Sequence, residues 1–254
     1  MSSDPTQRFS TRVENYIRYR PGYPLALLPL LEKRGSLRPG DIVADLGCGT
    51  GKLTELFHRR GHVVHAVEPN GPMRDAGRRY IADDRCSFVD GSAESTGLPG
   101  ATVDVAVAAQ AFHWFDIDST LVELDRILRP DGRLALIWNV RDESHDRFMS
   151  DYEALLAEHG TDYRNVGAHG VDTETRRRLF GRDLGLLAAL PNEQHLDRDG
   201  LIGRVLSASY APEQGQPGHE EMIAALDDLF RRHEKDGSVI LRYRTDVYHG
   251  TFER

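Results

Sequence analysis

Between residues 41 and 139, short apolar runs alternate with amphipathic ones. That alternation restricts the chain to a layered α/β fold with a parallel sheet. The apolar runs predict strands over 41–46, 62–68, 86–90, 103–110 and 133–139. Helices are expected between them at 52–60, 72–80 and 118–128. In the last of these Leu121, Leu124, Ile127 and Leu128 fall on one face, and Asp118 stands where an N-cap belongs. Arg129-Pro-Asp-Gly132 then reads as a helix stop and a turn into the next strand.

The flanks complete a single structural domain. Residues 1–36 are expected to form an N-terminal helical lid, with two helical segments broken at Arg20-Pro-Gly-Tyr-Pro24. Residues 37–141 form the Rossmann-like core. Residues 142–184 carry a helical pattern without strands, so they are expected as an insertion capping the sheet. Residues 185–254 complete the sheet: a strand at 186–196, helices at 199–207 and 219–234, and a final strand at 238–248. The helix at 219–234 places Met222, Ile223, Leu226, Leu229 and Phe230 on one face.

Charge and cysteine usage narrow the partners. With 40 acidic against 32 basic residues in 254, the net charge of −8 disfavours nucleic acid as a partner. The one dense basic run, Arg176-Arg177-Arg178, reads as a solvated helix face. Cys48 and Cys86 are the two cysteines, and neither they nor the 11 histidines have metal-ligand spacing, so no metal site is expected. No apolar run approaches the roughly 18 residues of a membrane helix, and the first residues are polar. The expectation is a cytoplasmic protein with no membrane partner, its oligomeric state undetermined.

The strongest chemical signal is Val43-Ala-Asp-Leu-Gly-Cys-Gly-Thr-Gly51, a strand running into Gly47-x-Gly49-x-Gly51 and then a helix. Such glycines allow a sharp turn and let a ligand lie on the main chain at a helix N-terminus. The spacing is not the dinucleotide fingerprint, in which the third glycine would stand at the place of Lys52. Asp45 precedes the first glycine by two positions. Glu68 closes the next strand, roughly 20 residues on, where a ribose-binding carboxylate belongs. Taken alone, Glu68 could equally be a solvated strand-end charge.

Four ordered motifs carry a family resemblance: Asp45-Leu-Gly-Cys-Gly-Thr-Gly51, Val67-Glu-Pro-Asn70, Gly91-Ser-Ala-Glu94 and Leu128-Arg-Pro-Asp-Gly132. The chain resembles the class I S-adenosylmethionine-dependent methyltransferases over about residues 8–140, and more loosely beyond. Tyr16-x-x-Tyr19-Arg-Pro-Gly-Tyr-Pro24 and Ala109-Gln-Ala-Phe-His-Trp-Phe115 are similar to a small-molecule group that includes trans-aconitate and cantharidin methyltransferases. The resemblance implies S-adenosylmethionine as cofactor and a seven-stranded, mostly parallel sheet with a reversed last strand. It places Gly47, Gly49, Gly51 and Asp45 at the methionine part and ribose of the cofactor, and Glu68 on both ribose hydroxyls. Ser92, Ala93 and Glu94 would sit at the adenine, Ser92 standing where many relatives carry an aspartate. Gln110 and Ala111 would border the sulfonium.

The acceptor is expected beyond the carboxyl ends of the strands. Phe112-His-Trp-Phe115 follows the fourth strand and Trp138-Asn139 ends the fifth, so His113, Trp114, Trp138 and Asn139 are candidate lining residues, against a reading of the aromatics as core. His113 could act as a general base for an acceptor hydroxyl, orient the acceptor, or simply pack. Tyr16, Tyr19 and Tyr23 would line the site from the lid. Arg20 would reach the cofactor's carboxylate or form a surface ion pair. The expected reaction is methyl transfer to a small-molecule acceptor, an oxygen of a carboxylate or hydroxyl before nitrogen or carbon. A nicotinamide-dependent oxidoreductase, a non-catalytic methyltransferase-like subunit and a nucleic-acid methyltransferase are the alternatives.

Overall fold

A computed structural model describes residues 13–161, 163 and 170–253. The polar N-terminal stretch, the first part of the expected lid, and residues 164–169 of the expected cap lie outside the described residues. Seven strands form one sheet: β1 (Ile42–Leu46), β2 (Val63–Val67), β3 (Cys86–Val89), β4 (Val103–Ala109), β5 (Leu128–Arg141), β6 (Leu186–Leu196) and β7 (Val239–Thr251). Their order is β3-β2-β1-β4-β5-β7-β6. β1 to β5 run parallel, and β7 inserts antiparallel between β5 and β6, so the reversed last strand is present.

The inner strands are apolar at nearly every position because both faces of the sheet are covered. Ala44, Leu46, Ala106, Ala108, Leu134, Leu136 and Trp138 pack on one face with Leu124 and Ile127 of α5 (Ile117–Ile127) and Leu179 of α7 (Thr173–Phe180). Val43, Val105, Val107, Ala135, Ile137 and Val247 pack on the other with α2 (Leu27–Lys33) and with Leu53 and Phe57 of α3 (Lys52–Arg59). A further core joins α6 (Arg147–His159), α8 (Arg198–Leu206) and α9 (His219–His233) to Leu196, Val239, Leu241 and Tyr243. This second core brings chain from 147 onward over the carboxyl ends of the parallel strands. No helix among the described residues is long and apolar enough to cross a membrane.

Two local expectations need correction. α5 is capped by Asp116, whose carboxylate accepts the Ser119 N–H at 2.9 Å, and not by Asp118, which lies inside the first turn. Residues 129–132 are the irregular start of β5 and not a free turn: Leu128 stands opposite Val103 and Arg133 opposite Val105, with a register shift between them. Arg129 stays tied to the neighbouring strand through Asp104 at 2.5 Å.

Candidate functional site

The site begins where β1 ends. Gly47, Gly49 and Gly51 have φ of 66°, 58° and 83°, a region that costs side-chain-bearing residues roughly 1 kcal/mol or more. At Gly47 there is a second reason for glycine: a Cβ there would lie 2.7 Å from the Ala111 methyl. Gly49 faces Met73 and the Tyr16 hydroxyl of α1 (Val13–Tyr19), whereas Gly51 backs onto Phe88 and Ile81. Gly51 therefore serves packing, and Gly47 serves close approach.

Glu68 holds this turn. Its carboxylate accepts the Gly49 N–H at 2.8 Å on one oxygen and the Asn70 N–H at 2.9 Å on the other. Burial raises its pKa, and these two backbone donors pull it back down. Asn70 in turn caps α4 (Gly71–Tyr80) by accepting the Met73 N–H at 3.0 Å. Asp45 sits deeper, 1% exposed. One of its oxygens accepts the Thr54 hydroxyl at 2.6 Å, and the other has no hydrogen-bond partner among the described residues. Burial pushes its pKa up to about 7, with the Glu68 charge adding to the rise. Cys48 is no candidate nucleophile, because burial holds its thiol well above the ordinary range.

A cavity of about 340 Å³ opens beside the turn. Asp45, Gly47, Cys48 and Thr50 line one end. Gln110, His113, Trp114 and Asn139 line its side, on the loop after β4 and the end of β5. Gln110 takes φ of 56°, and its amide donates to the Asn139 carbonyl at 3.0 Å. His113 and Trp114 sit on a short 3-10 turn with their ring centres 4.8 Å apart.

Tyr16, Arg20, Pro21 and Tyr23 close the cavity from the N-terminal segment. That segment is strapped down at several points. Lys52 donates to the Ile17 carbonyl at 2.9 Å, Asn139 to that of Gly22 at 3.0 Å, and Arg20 to that of Ser207 at 3.0 Å. Arg20 makes no surface ion pair among the described residues. Its Nε is buried and without a partner, and its guanidinium lies 5.2 Å from the Tyr16 ring centre.

Several sequence-derived candidates lie elsewhere. Trp138, expected to line the site, is 1% exposed and packs edge-on against Phe112 and Tyr248 in the α5 core. Strand alternation explains the correction: Asn139 and Arg141 face the cavity, so Trp138 and Val140 face the opposite layer. Tyr19 does not line the cavity either. Its ring fills the space a side chain at Gly203 of α8 would need, with a Cβ there meeting it at 2.2 Å. Glu68, Gly49, Gly51, Ser92, Ala93, Glu94 and Ala111 are not in the cavity lining. Ala93 is core, Ala111 sits under Gly47, and Glu94 accepts the Asp116 N–H at 2.9 Å.

Residues outside the sequence motifs also line the cavity. Arg141 pairs with Glu153 of α6 and donates to the Tyr163 hydroxyl at 2.6 Å. Arg204 of α8 donates to the Tyr243 hydroxyl at 3.2 Å, and Tyr210 stands edge-on to Tyr163 at 5.0 Å. The only sequence signal for any of these was Arg141, two places after Asn139 on the same strand face.

Comparison with known proteins agrees with this architecture. Residues 44–136 match the methyltransferase domain family. A methyltransferase-like protein of Schizosaccharomyces pombe, itself uncharacterized, is 33% identical over 94% of this chain and 93% of its own length. The chain belongs to the class I S-adenosylmethionine-dependent methyltransferases. An uncharacterized methyltransferase of Mycobacterium bovis is 40% identical over 55% of each chain, so the chain spans about half the length of that relative. The malonyl-[acyl-carrier protein] O-methyltransferase of Serratia marcescens is 33% identical over 39% of this chain and 38% of its own. A solved structure from Anaeromyxobacter dehalogenans, assigned as a type II methyltransferase, superposes with a TM-score of 0.64 at 26% identity, covering 92% of this chain and 98% of that one. Family membership replaces the oxidoreductase alternative.

The donor set of the site fits the family's cofactor. The unpartnered, buried Asp45 oxygen suits an ammonium, and Gly47 lines the same cavity.

Proposed function

We propose that this protein transfers a methyl group from S-adenosylmethionine to an oxygen of a small-molecule acceptor. The carrying observation is a cavity lined both by the glycine turn and by Arg20, Arg141, Arg204 and several tyrosines. Its volume suits a small molecule, since such sites run from about 300 to 1,000 Å³. S-adenosylmethionine, when bound, supplies an electrophilic methyl group on a sulfonium. The residues of the chain do the positioning. Asp45 holds the ammonium, Glu68 the ribose hydroxyls and Arg20 the carboxylate, while Ser92, Ala93 and Glu94 border the adenine. Gln110 and Ala111 set the position of the reacting centre, next to His113, Trp114 and Asn139 on the acceptor side.

The strapped N-terminal segment excludes water over this region, which favours alignment of the reacting atoms over hydrolysis. Oxygen is favoured as the acceptor atom because the Serratia relative is named for O-methylation and the far wall is rich in donors. Calorimetry with S-adenosylhomocysteine should give one site per chain. A panel of small acids, phenols and amines with labelled methyl donor should then yield label on oxygen. Absence of cofactor binding overturns the reading, and label on nitrogen alone overturns the oxygen assignment.

A further inference from the structure

We propose that Thr245 and Asn192 are positioning residues for cofactor retention: they orient the Asn139 amide on the Gly22 carbonyl and so latch the N-terminal segment over the cavity. This rests on the methyltransferase reading and adds to it what sets the rate at which the cofactor leaves.

The segment has little to hold it from within. α1 is seven residues long, too short to be stable in isolation. Arg20-Pro-Gly-Tyr-Pro24 follows without helix or strand pairing, yet Arg20, Pro21 and Tyr23 line the cavity. Irregular backbone of this kind needs hydrogen-bond partners from elsewhere in the chain. At Gly22 they are side chains of two different strands. Its carbonyl accepts the Asn139 amide of β5 and the Asn192 amide of β6, each at 3.0 Å, which occupies both lone pairs.

The Asn139 amide can serve in one orientation only. A carbonyl accepts and never donates, so the amide nitrogen has to face Gly22 and Oδ1 has to face the sheet. There Oδ1 meets two donors, the Thr245 hydroxyl of β7 at 2.6 Å and the Asn192 amide at 3.1 Å. Thr245 stands directly opposite Asn139 in the β5–β7 pairing and is fully buried. Next along that face, Ile137 and Val247 belong to the apolar layer against α2 and α3. A valine has nearly the same shape and the same preference for a strand, so what the threonine adds is its hydroxyl.

Neither Thr245 nor Asn192 is among the residues lining the cavity, so both act through Asn139, which is. Asn139 carries their effect in two directions. Its side chain holds Gly22, and its main-chain carbonyl accepts the Gln110 amide at 3.0 Å. Gln110 has φ of 56°, a conformation that persists in a residue other than glycine only where the surroundings fix it. The closed segment is thereby held in register with the loop after β4, which lines the same cavity.

The test uses the full-length protein and reads two rates: release of radiolabelled S-adenosylhomocysteine in a chase, and hydrogen exchange of residues 13–24 without ligand. Thr245→Val and Asn192→Ala should each raise both rates about three- to ten-fold, the range that the loss of one neutral hydrogen bond supports. Thr245→Ser keeps the hydroxyl and should stay within about twofold of the wild type. A residue that only stabilises the sheet would lower the melting temperature and leave both rates unchanged; that result in the folded variants overturns the proposal. So does a change in either rate without the other, or a serine variant no better than the valine one. If Thr245→Val does not fold by circular dichroism, Asn192→Ala, half-buried on the edge strand, decides the matter. Failure of the wild type to bind S-adenosylhomocysteine would instead strike the methyltransferase reading.

Discussion

Burial moves the ionisation of Asp45 into the neutral range. Its carboxyl ionises at about 7 when folded, against 3.8 when unfolded. The folded chain therefore takes up a proton there, and this group's contribution to stability is present below the unfolded value and lost as pH rises through 7. A cation against Asp45 favours the ionised form, so cofactor binding releases that proton. The affinity for S-adenosylhomocysteine should climb with pH up to about 7 and level off above it, and Asp45→Asn should abolish the limb. Calorimetry over that range reads it; a flat wild-type profile would remove the ammonium from Asp45. Glu68 is a different case, because it already has work in the protein alone. Glu68→Ala should weaken cofactor binding by about 1–3 kcal/mol and also lower the melting temperature, since the Gly49 and Asn70 N–H groups lose their acceptor. An unchanged dissociation constant with a lower melting temperature would make Glu68 a turn clamp only.

Among the elements, the N-terminal segment decides whether the cavity is closed. α1 is attached to α8 through the Tyr19 ring seated on Gly203, and Gln194 of β6 donates to the Tyr19 carbonyl at 2.7 Å. A methyl group at Gly203 would meet the aromatic ring at 2.2 Å, so Gly203→Ala has to displace the ring. The expected cost is about 1–3 kcal/mol of stability, as for other overpacked sites. Limited proteolysis should show earlier cleavage before residue 24, with the sheet intact. Equal protection of that segment in the variant would mean that the Lys52, Asn139 and Arg20 bonds hold it without Tyr19. Arg20 and Arg204 both belong to this contact region and both line the cavity.

At the scale of the molecule, two cores meet at the cavity. The sheet with α2, α3, α5 and α7 supplies the glycine turn, and the core of α6, α8 and α9 supplies Arg204 and Tyr210. Trp138 lies within the first core as its largest fully buried side chain. Trp138→Ala should cost about 3–5 kcal/mol, visible as a lower midpoint in urea, with cofactor affinity retained wherever the variant is folded. Loss of affinity in a folded variant would show that Trp138 acts on the site after all, through Asn139 beside it.

The sequence alone determined the sheet, the glycine turn and the position of Glu68. Those features rest on patterns within a few residues, namely short continuous apolar runs, a glycine triplet after a strand, and the distance from one strand end to the next. It could not decide whether Trp138 or Asn139 would face the ligand, because β5 is buried on both sides and apolar alternation is absent there. Nor could it place Arg204, Tyr210 and Tyr243 beside Arg20 and Arg141. These residues are as far apart as Arg20 and Tyr243 in the sequence, and they meet only because β7 inserts antiparallel between β5 and β6, folding α8 and α9 over the strand ends. Long-range pairing, and not local pattern, decides which charges share a cavity.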